Sequence, residues 1–252
     1  KPLKREQVTE LLTWVQKDTS IAQSKQSQEI AVTEDEIRQA LRSDQFEPHY
    51  QAHFDARNGT LIGAEALIRW NHPKFGMLTP IHFLDKLINM GLSYQMTCHM
   101  LRKSIETAAS WHNKGWSLNI SVNVTPTDLV QPDFANRVLQ IADEVRFPPH
   151  KLTIEVTETE LASDLARTLE NTSRLRIRGV NISIDDFGTG HSSLSQLISS
   201  PFTELKIDQL FVSKMLNNNK HLAAVQCVIA LSKSLDLRVV AEGVESQVQA
   251  RR

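Results

Sequence analysis

Residues 181–190 read "NISIDDFGTG": an apolar, strand-like run meets two adjacent carboxylates, Asp185 and Asp186, and then a glycine-rich turn. Asp and Gly are ordinary turn residues, so this pair alone fits a solvated loop. Polar groups recur, however, towards the ends of other strand-like runs: Glu65 in "LIGAEALIRW", Asn123 in "SLNISVNVT", Glu155 in "KLTIEVTE", Lys206 in "ELKID" and Glu242 in "RVVAEGV". Oxygen donors from separate strands suit a hard divalent cation, Mg²⁺ or Mn²⁺, and no Cys/His cluster of the zinc type accompanies them. Two like charges ~4 Å apart repel by roughly 4 kcal/mol at an effective dielectric near ~20, so such a gathering needs compensation or it takes up protons. Paired ions ~3.5–4 Å apart need a bridging carboxylate, and two adjacent Asp at a strand end can supply one bridge and one arm.

Those residues need a scaffold that brings strand ends together. From His49 onward, short strand-like runs alternate with longer amphipathic ones over roughly 79–90, 93–114, 133–145, 160–178, 192–199 and 219–235, several stopping at glycine. Strand and helix in repeated alternation imply a parallel sheet with covering helices. The first two strands differ, because "ARNGT" between them carries the hairpin signal Asn58-Gly59, which makes that pair antiparallel. Each strand also splits into two phases: Leu118, Ile120, Val122 and Val124 alternate with Asn119, Ser121 and Asn123, and Ile182 and Ile184 alternate with Ser183 and Asp185. A parallel sheet covered on both faces would not have so polar a second phase. A closed barrel would: its helices cover only the outside, and its chemistry gathers at the C-terminal ends of the strands. The expected class is therefore α/β, a barrel whose first strand is antiparallel.

At 252 residues, 40% hydrophobic and with a formal net charge of −1, the chain can bury a sizeable core, and its charge advertises neither duplex nucleic acid nor an acidic membrane surface. It has no run of about 18 apolar residues and no secretory leader pattern, so no membrane segment and a reducing, cytoplasmic setting are expected. Cys98 and Cys227 lie in helix-like apolar segments and read as buried free thiols. His53, His72, His82, His99, His112, His150 and His221 show no metal-ligand spacing and read as surface or hydrogen-bonded core residues, while Trp14, Trp70, Trp111 and Trp116 read as packing.

The ordered set "AEALIRW", "NHPKFGMLTPIHF", "SVNVT", "IEVTE", "DDFGTGHSSL", "LKID" and "AEGVES" resembles the EAL domain, a bacterial cyclic di-GMP phosphodiesterase, over about 34–252. The resemblance implies a modified TIM (β/α)8 barrel and hydrolysis of cyclic di-GMP to linear pGpG by in-line attack of an activated water on one phosphodiester. It makes Glu65, Asn123, Glu155, Asp185, Asp186 and Glu242 ligands of two Mg²⁺ or Mn²⁺ ions. Lys206 and Glu242 then resemble the pair that holds and deprotonates the water, and which of them is the base stays open. Gln51, Leu67, Arg69 and Asp208 match positions that contact the dinucleotide, with Arg69 a fork for phosphate. Glu158 and Glu245 match supporting positions around the ligands.

Departures from the family pattern are Ala52, where "YQP" is usual, and His191, where "DFGTGY" is usual. The sequence offers seven of the eight barrel strands, so the expected domain, 33–252, is C-terminally incomplete. Residues 1–17 read as a helix resembling the end of a response-regulator receiver domain, and 18–32 as a Ser/Gln-rich linker. Thr33 with Glu36 forms a capping-box pattern that opens the main domain. A homodimer through the EAL domain is a further expectation of the resemblance. The alternative is a catalytically inactive EAL module that binds cyclic di-GMP or a protein partner; an unrelated metal-dependent barrel would share the ligands without the ordered motifs.

Overall fold

A computed structural model describes residues 30–157, 164–188 and 194–250. The expected helix over 1–17, most of the 18–32 linker, Glu158 and His191 lie outside the described residues. The fold divides after Val122 into two compact units.

The first unit opens with α1 (Glu34–Arg42), whose start is the expected capping box: Thr33 Oγ1 accepts from the Glu36 N–H at 3.2 Å, and the Glu36 carboxylate accepts from the Thr33 N–H at 2.7 Å. Strands β1 (Phe46–Phe54) and β2 (Leu61–His72) form the antiparallel hairpin. Its loop is longer than a two-residue turn, because the Asp55 N–H donates to the Thr60 carbonyl and the Gly59 N–H to the Asp55 carbonyl. Gly59, at φ +67°, takes the left-handed position there. A short β3 (Gly76–Leu78), absent from the sequence reading, pairs with the far end of β2, and β4 (Asn119–Asn123) runs parallel to β2 from Gly63 to Ala66. Gly63 permits that approach: a side-chain carbon there would stand 2.9 Å from the Asn119 carbonyl oxygen. The expected helix over 79–90 is broken into a 3-10 turn (Pro80–His82) and α2 (Leu84–Asn89). The long α3 (Ser93–Asn113) packs on β1 and β2. Phe46, Trp70 and Phe83 are fully buried and meet with ring centroids 5.1–5.6 Å apart, and the Trp70 indole N–H donates to Gln45 Oε1.

The second unit contains α4 (Pro126–Leu129), α5 (Phe134–Glu144), β5 (Leu152–Thr157), α6 (Leu165–Ile177), β6 (Asn181–Phe187), α7 (Leu194–Ser199), β7 (Glu204–Ile207), α8 (Gln209–Lys214), α9 (Asn219–Ser234), β8 (Arg238–Ala241) and α10 (Gln247–Ala250). Strands β5, β6, β7 and β8 pair in parallel in chain order. The apolar phase is buried as expected, with Leu152, Ile154, Val156, Ile182, Ile184, Leu205 and Ile207 all at or below 1% exposure. The polar phase is buried as well: Thr153, Glu155, Ser183, Asp185, Glu204 and Lys206 are each at or below 8% exposure, so these strands bury both faces although only one is apolar.

Free thiols are present as expected, but Cys98 is only half-buried and Cys227 is exposed. The buried line of α9 runs through Val225 and Ser232, about two turns apart on one face. Cys227, two residues after Val225, falls about 200° round the helix from it and so faces outward. Among the described residues no helix is long and apolar enough to cross a membrane.

One buried polar side chain ties the helices of the second unit together. Asn171 on α6, 2% exposed, donates to the carbonyls of Leu129 and Gln131 at 2.7 and 2.9 Å and accepts from the Ala135 N–H at 3.4 Å. Asn171→Ala removes all of these and strands their backbone partners. It is expected to lower the free energy of unfolding by about 3 kcal/mol, read as a shifted urea midpoint at unchanged slope.

Candidate metal centre

The site of the second unit is built around a lysine. In "ELKI" the alternation that buries Leu205 and Ile207 against the helices turns Lys206 to the polar face, where it is 1% exposed. A buried ammonium is tolerable only with partners. Lys206 has three: Nζ stands 2.8 Å from Glu155 Oε2, 3.2 Å from Asp185 Oδ1 and 2.7 Å from Glu242 Oε1. Glu155 comes from the middle of β5 and is fully buried; Asp185 lies near the end of β6; Glu242 follows the last residue of β8 and is 29% exposed at its side chain.

Asp186 reaches the same place by a backbone irregularity. The register between β6 and β7 shifts between Ile184 and Phe187, and Asp186 takes a left-handed φ of +55°. Neighbours on a regular strand point to opposite faces; the kink sets Asp185, Asp186 and Glu242 together, with carboxylate oxygens all within 4.8 Å of one another. This juxtaposition pushes the Asp186 carboxyl up to about 6, chiefly through its burial, then through the charge of Asp185 and the hydrogen bond and charge of Asp208, with Glu242 adding further repulsion. Asp208 also caps α8, its Oδ1 accepting from the Leu210 N–H at 2.7 Å. The donor set, carboxylate oxygens crowded against one another, fits a divalent cation such as Mg²⁺ or Mn²⁺: its charge offsets the repulsion, and hard oxygen ligands are what these ions take.

The turn that delivers Glu242 depends on Gly243. It stands at φ +65°, and a side-chain carbon on it would meet Gln209 Cγ at 2.4 Å, so the first residue of α8 packs directly under the turn. Glu245 is exposed, and its N–H donates to Gln249 Oε1. Asn123, also exposed, ends β4, and the following Val124 N–H donates to the Glu155 carbonyl at 2.9 Å.

In the first unit the expected residues share one face of the hairpin. Glu65, Leu67 and Arg69 alternate along β2, and Gln51 pairs with Glu65 across the ladder. Glu65 is 6% exposed. It lies well inside β2 rather than at its end, because β2 runs on to pair with β1 and β3; measured by the parallel ladder with β4 alone, it is one residue from the C-terminal end. Arg69 is half-buried, its Nη1 donating to the Ile68 carbonyl at 2.8 Å, and burial lowers its pKa. His53, expected to be a surface or hydrogen-bonded core residue, has its Nε2 4.0 Å from Glu65 Oε2. The signal was present: His53 is two residues from Gln51, hence on the same face, once the two strands are paired.

The family described as EAL domain matches residues 34–252. The cyclic di-GMP phosphodiesterase RocR of Pseudomonas aeruginosa is 36% identical over 250 residues, covering 99% of this chain and 64% of its own length. The cyclic di-GMP phosphodiesterase NbdA of the same species is 36% identical over 217 residues, covering 86% of this chain and 28% of its own length. This chain therefore spans less than two thirds of either relative. Among solved structures, the PaMucR phosphodiesterase in its c-di-GMP complex superposes with a TM-score of 0.81 at 37% identity, covering 86% of this chain and 88% of that one.

Two outcomes follow from the geometry. Lys206→Met takes the ammonium away from the fully buried Glu155 carboxylate, and is expected to cost about 3–5 kcal/mol of stability in a denaturant titration. Gly243→Ala, strained in φ and blocked by Gln209, is expected to cost about 2 kcal/mol in the same titration and to weaken Mn²⁺ binding measured by calorimetry.

Proposed function

The chain belongs to the EAL domain family, with the modified (β/α)8 barrel of its structural neighbours, and from that premise we propose that it is a metal-dependent phosphodiesterase that hydrolyses cyclic di-GMP to linear pGpG. One observation carries the reading. A fully buried lysine is held by Glu155, Asp185 and Glu242, with Asp186 bent by its backbone into the same carboxylate group.

The residues divide the work. Asp185, Asp186, Glu155 and Glu242, joined by Glu65 and Asn123 on the strength of the family motifs, hold two Mg²⁺ or Mn²⁺ ions. Such ions lower the pKa of a water and offset charge developing on phosphoryl oxygens. Lys206 carries three N–H donors and has a carboxylate for each of them, so it serves as the fixed ammonium that orients the acidic groups. That leaves Glu242, partly open to solvent, as the group that takes the proton from the attacking water. Arg69 offers its guanidinium to a phosphate, and Gln51 and Leu67 border the dinucleotide on the same hairpin face. Asp208 contacts the dinucleotide or, through its bond to Asp186, orients that ligand. Glu158 and Glu245 support the ligand loops.

The match to RocR extends across nearly the whole chain, including residues before the EAL domain itself, which supports likening the N-terminal segment to that protein as well. A homodimer, an upstream receiver domain and a bacterial cytoplasmic setting belong to the same proposal.

The test is chromatography of cyclic di-GMP incubated with the chain and Mn²⁺ or Mg²⁺. pGpG is expected to accumulate, to stop with a chelator, and to fall at least about a hundredfold in rate for Asp185→Asn or Glu65→Ala at unchanged fold. Binding of cyclic di-GMP without turnover, in protein that also binds Mn²⁺, would replace this reading with the inactive binding module.

A further inference from the structure

We propose that His53 is a positioning residue for the Glu65 carboxylate, holding one of its oxygens so that the other is presented to a divalent cation. The inference deepens the reading of Glu65 as a ligand and rests on it.

The arrangement follows from the hairpin. In the β1–β2 ladder Gln51 lies opposite Glu65 and His53 opposite Gly63, so all four positions share a face. Gly63 carries no side chain, and nothing larger is admitted there because the Asn119 backbone closes in. Across an antiparallel pair the diagonal neighbour is within reach of a long side chain, and for His53 that neighbour is Glu65. The imidazole takes this direction: Nε2 stands 4.0 Å from Glu65 Oε2, with the His53 side chain 19% and the Glu65 side chain 9% exposed. The separation exceeds a hydrogen bond, and hydrogen bonds in catalytic sites commonly stand long until the site is loaded. A carboxylate has two oxygens and rotates freely about its last bond; a donor on one oxygen fixes which one, and at what angle, faces a metal. Partners of this kind usually govern metal affinity as strongly as some ligands do.

The discriminating experiment is calorimetric titration of Mn²⁺ into the full chain and into His53→Leu, His53→Gln and His53→Asn. Gln places its amide N–H at about the reach of Nε2, whereas Asn falls short of it, so the donor is separated from bulk and polarity. Expected is about a tenfold weaker Mn²⁺ affinity for Leu and Asn, with Gln restoring most of it, at matching urea midpoints for the variants that fold. If His53→Leu does not fold, the Gln and Asn pair still decides. Equal affinity in all variants, or Gln as weak as Asn, overturns the role of His53 while leaving the metal centre intact. No Mn²⁺ heat from the unsubstituted chain overturns the metal reading itself, and the role of His53 with it.

Discussion

The second unit is organised by one electrostatic requirement: a positive charge closed off from water must be met by negative charge delivered from several strands at once. Lys206 reaches its partners only because β5, β6, β7 and β8 run in the same direction and in chain order, so that a carboxylate from the middle of β5, one near the end of β6 and one just past β8 arrive at a common level. Bringing one carboxylate to the lysine would satisfy a salt bridge. Bringing three, and crowding Asp186 beside them, goes beyond what the lysine alone can balance, and Asp186 responds by holding its proton to about 6. The excess of negative charge is the physical basis for assigning a cation to this group.

The same requirement explains why both faces of these strands are buried although only one is apolar. Leucine and isoleucine pack outward against the helices, while Thr153, Ser183, Glu204 and the site residues fill the other face. That alternation is written plainly in the sequence, since period two is the strongest signal a strand carries. All seven strands expected from it are present, as are the helices over 93–114, 133–145 and 219–235, within a few residues at their ends, while α6 and α7 fill the described parts of 160–178 and 192–199, whose first residues lie outside the described ones. Glycine and capping residues mark those ends chemically, which is why they were legible. β3, α4, α8 and α10 were not, because segments of three to six residues are too short to show a period.

Legibility of the site followed a similar division. Side chains that alternate along strands were placed by counting. Features that depend on tertiary geometry were invisible: the left-handed backbone at Asp186, the Gln209 side chain packed against Gly243, and the outward turn of Cys227. His53 lies between these cases. Its face follows from counting, but its direction towards Glu65 follows from the pairing register, which the hairpin turn fixes only once its six-residue loop and the shift near Phe54 are known.

The backbone at Asp186 has a genetic corollary. Asparagine and glycine are the residues that share or exceed aspartate's ease in the left-handed region, and both are one base away from every aspartate codon. A single transition can therefore erase the charge there without disturbing the chain's path. Descendants that keep the shape and lose this carboxylate lie one mutational step from this sequence, and the backbone conformation at position 186 does not select against them.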